Sequence, residues 1–361
     1  MTGCGTVTLT IPDKCQVTVP GASINFVITG PGDFRARQTW VKLRRLGLVH
    51  CQENVSRVAF VALAEGRVFV AFPTLLDPAP VWGGVKLRVG DIVLYSPGER
   101  IHQRASGETH WGLISFAPDD LAAYCRALAG VDLMVPVAAR ILRPPPVSAA
   151  SLRRLHGKAC RLAETKPDMI AHREVARALE QDLLHALVNC LTADGTQEDA
   201  VANRRHAEIM ARFEAILASR DDRPLSMAEV CSAVDVGERT LRVCCTEFLG
   251  MSPGSYARLR RLNLVRAALQ AADPATTSIA TAARRYGFSE LGRFAVVYRS
   301  VFGEMPSTTL GGYSKIREAA LPNLHRQQNP ISSSLPVTQT VGQKTARRRR
   351  RVHDPTRPSR A

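Results

Sequence analysis

Through roughly the first 135 residues, apolar positions come in short runs broken by Gly-Asp and Pro-Gly pairs, with alternation at Val85-Lys86-Leu87-Arg88-Val89 before the turn Gly90-Asp91. Strand side chains alternate between faces, so this pattern predicts short strands joined by tight turns, in a sandwich or a barrel. The period lengthens after the proline-rich stretch 144–151, where Pro145 to Ser148 can end one element and cap the next. Two helices are expected to follow. In the second, Val175, Leu179, Leu183, Leu187 and Leu191 recur every four residues, and Leu184 and Val188 widen the stripe. A stripe of this kind packs on the β domain or meets its copy in a dimer. Residues 192–203 have the polar composition of a linker, and the chain then reads helical as far as Tyr313. This gives an α+β multidomain chain, with a β-rich domain over 1–145, packing or dimerisation helices over 146–191, a linker over 192–203, a helical domain over 204–313 and a tail over 314–361.

The helical domain contains a duplication. Leu241 corresponds to Phe294, Cys245 to Tyr298, Leu249 to Phe302, Gly250 to Gly303 and Pro253 to Pro306, all at an offset of 53. Each copy opens on a capping serine, Ser226 or Ser278, and continues through a short helix, a turn and a longer helix. Helical spacing sends Leu241, Cys244, Cys245 and Phe248 inward in the first copy, and Phe294, Val297, Tyr298 and Val301 inward in the second. Arg239, Thr240, Arg242, Val243 and Thr246 then face outward in one, and Leu291, Gly292, Arg293, Ala295 and Val296 in the other. Arginine can clamp guanine O6 and N7, and small apolar groups can meet a thymine methyl, so these faces suit the major groove. A helix from Pro253, with Tyr256, Leu259, Leu262, Val265 and Leu269 along one side, would space the two copies about 34 Å apart, one DNA turn.

Charge points the same way. The chain carries 48 Lys+Arg against 32 Asp+Glu over 361 residues, a formal charge of +16, which favours an anionic partner. Nine of those sixteen charges lie beyond residue 313, in a Pro-, Ser- and Arg-rich segment with five consecutive arginines from Arg347 to Arg351, which reads as disordered. All fifteen cations from Arg204 to Tyr313 are arginine, set against eleven acids. An excess that small requires base contacts as well as bulk attraction. The nine cysteines are scattered and include no C-x-x-C pair, which predicts reduced thiols in a cytoplasm; no signal peptide, membrane span or membrane partner is expected.

The run GFSELGRFAVVYRSVFGEMPS over 287–307, with SPGSYARLRRLNLVR upstream, resembles the AraC/XylS family of bacterial transcription regulators. The resemblance covers about residues 205 to 313 and implies a DNA-binding domain of seven helices, the third and sixth entering adjacent major grooves. Carried over by position, it implies base readers Arg239, Arg242 and Val243 on the third helix, and Leu291, Gly292, Arg293 and Val296 on the sixth. Thr240, Thr246, Ser289 and Arg299 complete the candidate DNA-binding set. Val243 stands where members often carry a polar or basic reader, and Gly292 has no side chain to read with. Residues 85–130 and 169–191 also resemble a subgroup with a cupin-like sensor domain, found among ethanolamine- and aromatic-acid-responsive regulators. That implies effector sensing and helix-mediated dimerisation.

Other chemistry is thinner. His102, His110 and Glu99 lie close together in the β region, but the His-x-His with a following Glu that a metal-bearing cupin needs is missing, and no metal or cofactor is expected. Trp82, His102 and Trp111 are the candidates for an effector cavity, although large aromatics mostly fill cores. Cys244-Cys245 reads as a redox pair or as two packed hydrophobes. The expected protein is a cytoplasmic transcription regulator, an activator under small-molecule control, with promoter DNA, a second copy and RNA polymerase as partners. An enzymatic β barrel fused to a DNA-binding module is the alternative from another class, though no phosphate loop or nucleophile constellation is present. A nonspecific binder driven by the arginine tail is the third.

Overall fold

The computed structural model describes residues 2–12, 19–193, 197–200, 204–219 and 224–311, so the expected basic tail and half of the expected linker lie outside the described residues. In chain order the strands are β1 (Gly3–Leu9), β2 (Ala22–Ile28), β3 (Ala36–Lys42), β4 (Gly47–Glu53), β5 (Arg57–Leu63), β6 (Val68–Pro73), β7 (Val81–Trp82), β8 (Val85–Lys86), β9 (Ile92–Tyr95), β10 (Arg100–Ala105), β11 (Thr109–Phe116), β12 (Arg140–Arg143) and β13 (Gln197–Ala200). They form two antiparallel sheets, an eight-stranded one in the order β1-β3-β4-β11-β6-β9-β12-β13 and a five-stranded one in the order β2-β5-β10-β7-β8. Among the described residues no strand pairs across the two sheets. Of the two expected arrangements, sandwich and barrel, the sandwich is found.

Alternation explains the layers. On β11, Trp111 and Leu113 join the cluster that fills the space between the sheets, with Phe26 and Ile28 of β2, Val61 of β5 and Tyr95 of β9. Ile114 and Phe116 belong to a second cluster on the opposite face of the large sheet, with Leu48, Val70, Phe72 and Leu94. That second face is covered by helices α1 (Pro118–Ala129), α2 (Pro146–Thr165), α3 (Pro167–Ala171) and α4 (Arg173–Thr192). The predicted stripe on α4 is used here. Leu183, Leu184, Leu187, Val188 and Leu191 are buried against the sheet and its sister helices, each burial worth about 1.5–3 kcal/mol. A dimer would therefore have to use another face. Gly112 lets the helices approach, since a Cβ there would lie 2.5 Å from the Phe72 ring and 3.0 Å from that of His156.

Three local readings change. The alternating run 85–89 is strand only at Val85–Lys86, because the chain turns back and Arg88 N donates to Asp91 Oδ2 at 2.8 Å. Helix α1 interrupts a region read as strands, although Pro118, Asp119 and Asp120 in its first turn and Gly130 at its left-handed end are ordinary helix punctuation. Gln197–Ala200, inside the expected linker, pairs with β12.

The outer face of the smaller sheet carries the rest of the chain: α5 (Arg204–Ser219), α6 (Met227–Val234), α7 (Glu238–Leu249), α8 (Pro253–Ala271), α9 (Ile279–Arg285) and α10 (Leu291–Phe302). Residues 306–311 are again helical. Val27 and Val58 of the sheet share a core cluster with Ile209, Phe213, Phe248 and Tyr256 of these helices. Among the described residues no helix is long and apolar enough to cross a membrane.

Candidate nucleic-acid interface

The first unit is built from its caps. The Ser226 hydroxyl accepts from Glu229 N at 3.2 Å, and the Glu229 carboxylate accepts from Ser226 N at 2.8 Å, a reciprocal capping box that starts α6. Asp235 ends α6 with φ of 58°, a left-handed conformation that its short side chain tolerates, and α7 begins three residues later. Leu241, Cys244, Cys245, Phe248 and Leu249 are buried along α7 as the spacing predicts. Burial pushes the thiols of Cys244 and Cys245 up, and Cys245 Sγ lies 3.9 Å from Met210 Sδ, so the pair serves as small packed hydrophobes.

The second unit repeats the plan with aromatics. Ser278 Oγ accepts from Thr281 N at 3.0 Å at the head of α9, and Gly287, with φ of 80°, makes the turn into α10. Phe294, Tyr298 and Phe302 form a buried ladder, with centroids 5.5 and then 4.7 Å apart. The Tyr298 hydroxyl donates to Thr309 Oγ1 at 2.8 Å, which donates to Glu304 Oε1 at 2.8 Å. Arg266 Nη2 on α8 donates to the same Glu304 oxygen at 3.0 Å.

With these inner stripes anchored, the faces expected to read DNA turn outward. Arg239, Arg242, Val243 and Thr246 are exposed on α7, while Thr240 is half-buried. Ser289, Gly292, Arg293, Val296 and Arg299 are exposed on and just before α10, Val296 at 71%. Leu291 sits lower than expected: it is half-buried and packs against the core. Arg242 Nε donates to Glu238 Oε1 at 2.9 Å, and Arg293 Nη1 lies 3.9 Å from Glu290 Oε2. The Thr246 hydroxyl donates to Arg242 O at 2.8 Å, so what it offers outward is an acceptor.

The three residues considered for an effector cavity go to separate tasks. Trp82 is fully buried in the inter-sheet core. Trp111 Nε1 donates to Glu53 Oε1 at 2.9 Å, and the other Glu53 oxygen accepts from Arg57 Nε at 2.6 Å. His102 is 2% exposed on the outer face of β10, where its Nε2 meets Glu214 Oε1 of α5 at 3.0 Å. Glu214 also accepts from Arg260 Nη1 at 3.1 Å and from the Tyr256 hydroxyl. Burial alone would raise the Glu214 pKa, but His102, Arg260 and Tyr256 together hold it below the usual carboxylate value. This cross-domain cluster was missed by sequence reasoning, because its two halves, His102 and Glu214, lie 112 positions apart. His110 bonds Glu108 at 2.7 Å, and Glu99 accepts from Ala139 N at 3.0 Å. Among the described residues no group of three or more His, Cys, Asp or Glu side chains is arranged to hold a metal ion.

Two helix-turn-helix units in tandem, each with an exposed second helix, place the C-terminal domain among double helix-turn-helix DNA-binding domains. Residues 230–311 match a family described as "Helix-turn-helix domain". Over 88 residues the chain is 40% identical to the XylDLEGF operon transcriptional activator 2 of Pseudomonas putida, covering 24% of this chain and 56% of that one. It is 36% identical over 94 residues to a probable thc operon regulatory protein of Rhodococcus erythropolis, covering 26% of this chain and 28% of that one. The chain thus spans about half or less of the length of these curated relatives. Among solved structures, a probable AraC family transcriptional regulator from Rhodopseudomonas palustris is 29% identical, covering 29% of this chain and 96% of that one at a TM-score of 0.27. ToxT from Vibrio cholerae is 10% identical, covering 81% and 98% at a TM-score of 0.28. Residues 230–311 are thus a helix-turn-helix domain, and over this region the chain is similar to operon regulators.

Proposed function

We propose that the chain is a sequence-specific transcription regulator in which α7 and α10 read two neighbouring segments of promoter DNA. The observation that carries this reading is the pairing of two exposed faces, Arg239/Arg242/Val243 and Gly292/Arg293/Val296, each backed by a buried stripe, Leu241/Cys244/Cys245/Phe248 on α7 and Phe294/Tyr298/Phe302 on α10. Arginines presented from rigid helices suit bidentate contacts to guanine, and Val243 and Val296 suit thymine methyls. Ser289, Thr246 and Arg299 supply contacts to phosphate or to the groove walls.

The β domain is the effector-responsive part in this reading, and activation is the outcome, as it is for the operon activators of Pseudomonas putida that the chain resembles. Its seam with the DNA-binding domain holds a cavity of about 260 Å³ between β2 and α8, lined by Asn25, Phe26, Phe34, Arg260, Asn263 and Arg266. A small molecule there would press on both halves of the chain, and a coupling of ~1–3 kcal/mol is enough for regulation. A second copy and RNA polymerase are further partners in this reading, and the protein works without metal or catalysis.

Selection of bound sequences from a random DNA pool tests it, with the wild type compared with Arg242→Ala and Arg293→Ala. A motif in which different positions relax in the two variants is expected. Binding without a motif that vanishes on adding salt would instead mean bulk attraction to the phosphate backbone.

A further inference from the structure

Both reading helices are held at their C-terminal ends by the β sandwich. On α7, the Phe248 ring meets His102 of β10 edge-on at 6.1 Å. Two residues on, Gly250, with φ of 72°, lies against Arg104 so closely that a Cβ would fall 1.6 Å from Arg104 Nη1. On α10, Phe302 O accepts from Gly32 N at 3.5 Å, and Gly303 sits against Pro31.

Between them, α8 is fastened to the edge of β2 by one side chain. Asn263 Oδ1 accepts from Ile28 N at 2.9 Å, and its Nδ2 donates to Ile28 O at 3.1 Å, so the amide stands in for a neighbouring strand. The buried cluster of His102, Glu214, Tyr256 and Arg260 fastens α5 and α8 to β10 in the same way. None of these contacts covers Arg239, Arg242, Val243, Gly292, Arg293 or Val296, all of which remain exposed in the N-terminal halves of the helices.

We infer that the β sandwich is a jig that sets the spacing and angle of the two reading helices, with His102, Glu214 and Asn263 as positioning residues for DNA reading. The inference rests on the DNA-reading function proposed above. A second head adds affinity only when its geometry matches the span between sites. One inserted base pair shifts the second site by about 3.4 Å and turns it by roughly 35°. A rigid pair of heads is therefore intolerant of altered spacing, and a loosened pair is tolerant.

The test uses the full chain as wild type, Glu214→Gln and Asn263→Ala. Duplexes carry the selected motif with its natural spacing, with one base pair added or removed between the halves, or with one half scrambled. Wild type is expected to lose ~10-fold per altered base pair and the variants under ~3-fold, while all three bind the scrambled duplex alike. Asn263→Ala acts at a seam contact separate from the Glu214 cluster, so it carries the test where Glu214→Gln fails to fold. Identical spacing profiles in wild type and Asn263→Ala would overturn the jig and leave DNA reading standing. Absence of any motif for wild type would overturn the DNA reading itself, before a variant is made.

Discussion

Glu238 holds Arg242 from one helical turn away, Oε1 accepting from Nε at 2.9 Å, on the exposed face of α7. The carboxylate keeps the guanidinium extended along the helix and also places a negative charge where phosphates would approach. Glu238→Ala is expected to change folding stability by less than ~0.5 kcal/mol, as exposed pairs do. Affinity for unrelated DNA should rise roughly severalfold at low salt and fall back by ~0.15 M, where the screening length is about 8 Å. Titration of a random duplex across salt concentrations checks this, and a gain that persists at high salt would point to a new direct contact instead.

Arg293→Ala should weaken binding to the selected site by ~1–3 kcal/mol and relax the preference at one base position. An unchanged preference across operator variants would remove Arg293 from the readers and leave it as a phosphate contact.

Gly292 is an empty position on the proposed reader face, where a Cβ would meet nothing within 4 Å. Gly292→Lys should therefore fold at least as well as wild type, with up to about 0.5–1 kcal/mol gained from replacing a helical glycine. It should also tighten DNA binding and steepen its salt dependence by about one phosphate contact. Loss of stability in urea would contradict the open surroundings of this position.

Tyr298→Phe removes the first link of the chain that runs through Thr309 and Glu304 to Arg266. The ring ladder stays in place, so the loss should be about 0.5–1.5 kcal/mol, read as a lower urea midpoint at unchanged slope.

His156 ties stability to pH. Fully buried between α2 and the large sheet, it has its pKa lowered from 6.5 to about 4 by burial first and by His50 second. His50 is ringed in turn by His110, Glu164 and Arg37. Nε2 of His156 donates to Val49 O at 3.1 Å, and hydrogen bonding to the backbone of Leu113 and Val49 offsets only part of the burial. The unfolded chain takes up a proton below about pH 6.5 while the folded one does not until about pH 4, so stability is full above 6.5 and falls with pH through that window. The full loss is about 3 kcal/mol. His156→Gln should flatten the urea midpoint between pH 6.5 and 4 relative to wild type, and an unchanged slope would assign the pH dependence elsewhere.

Periodicity made the C-terminal domain readable down to single residues, because its duplication tests itself. Leu241 and Phe294, Cys245 and Tyr298, and Leu249 and Phe302 occupy equivalent positions, and all six are buried. Leu291 escaped because helix phase is soft in the first turn, and its side chain leans toward the core. In the β domain, alternation marked strands without saying which would pair, since antiparallel partners such as those in β4 and β11 lie about sixty positions apart. The seam was illegible for the same reason. A histidine on an alternating strand and a glutamate on an amphipathic helix look like two solvated polar groups until the fold brings His102 and Glu214 together.

The two heads are not alike: one offers Arg239, Arg242 and Val243, and the other a glycine, one arginine and a valine. If the two faces read DNA as proposed, unequal ends give the binding site a direction. Reversing that site in front of a gene would turn the whole protein around on the DNA, so that whatever normally faces the start of transcription would face away from it. Orientation, as much as occupancy, then becomes a property that a promoter encodes.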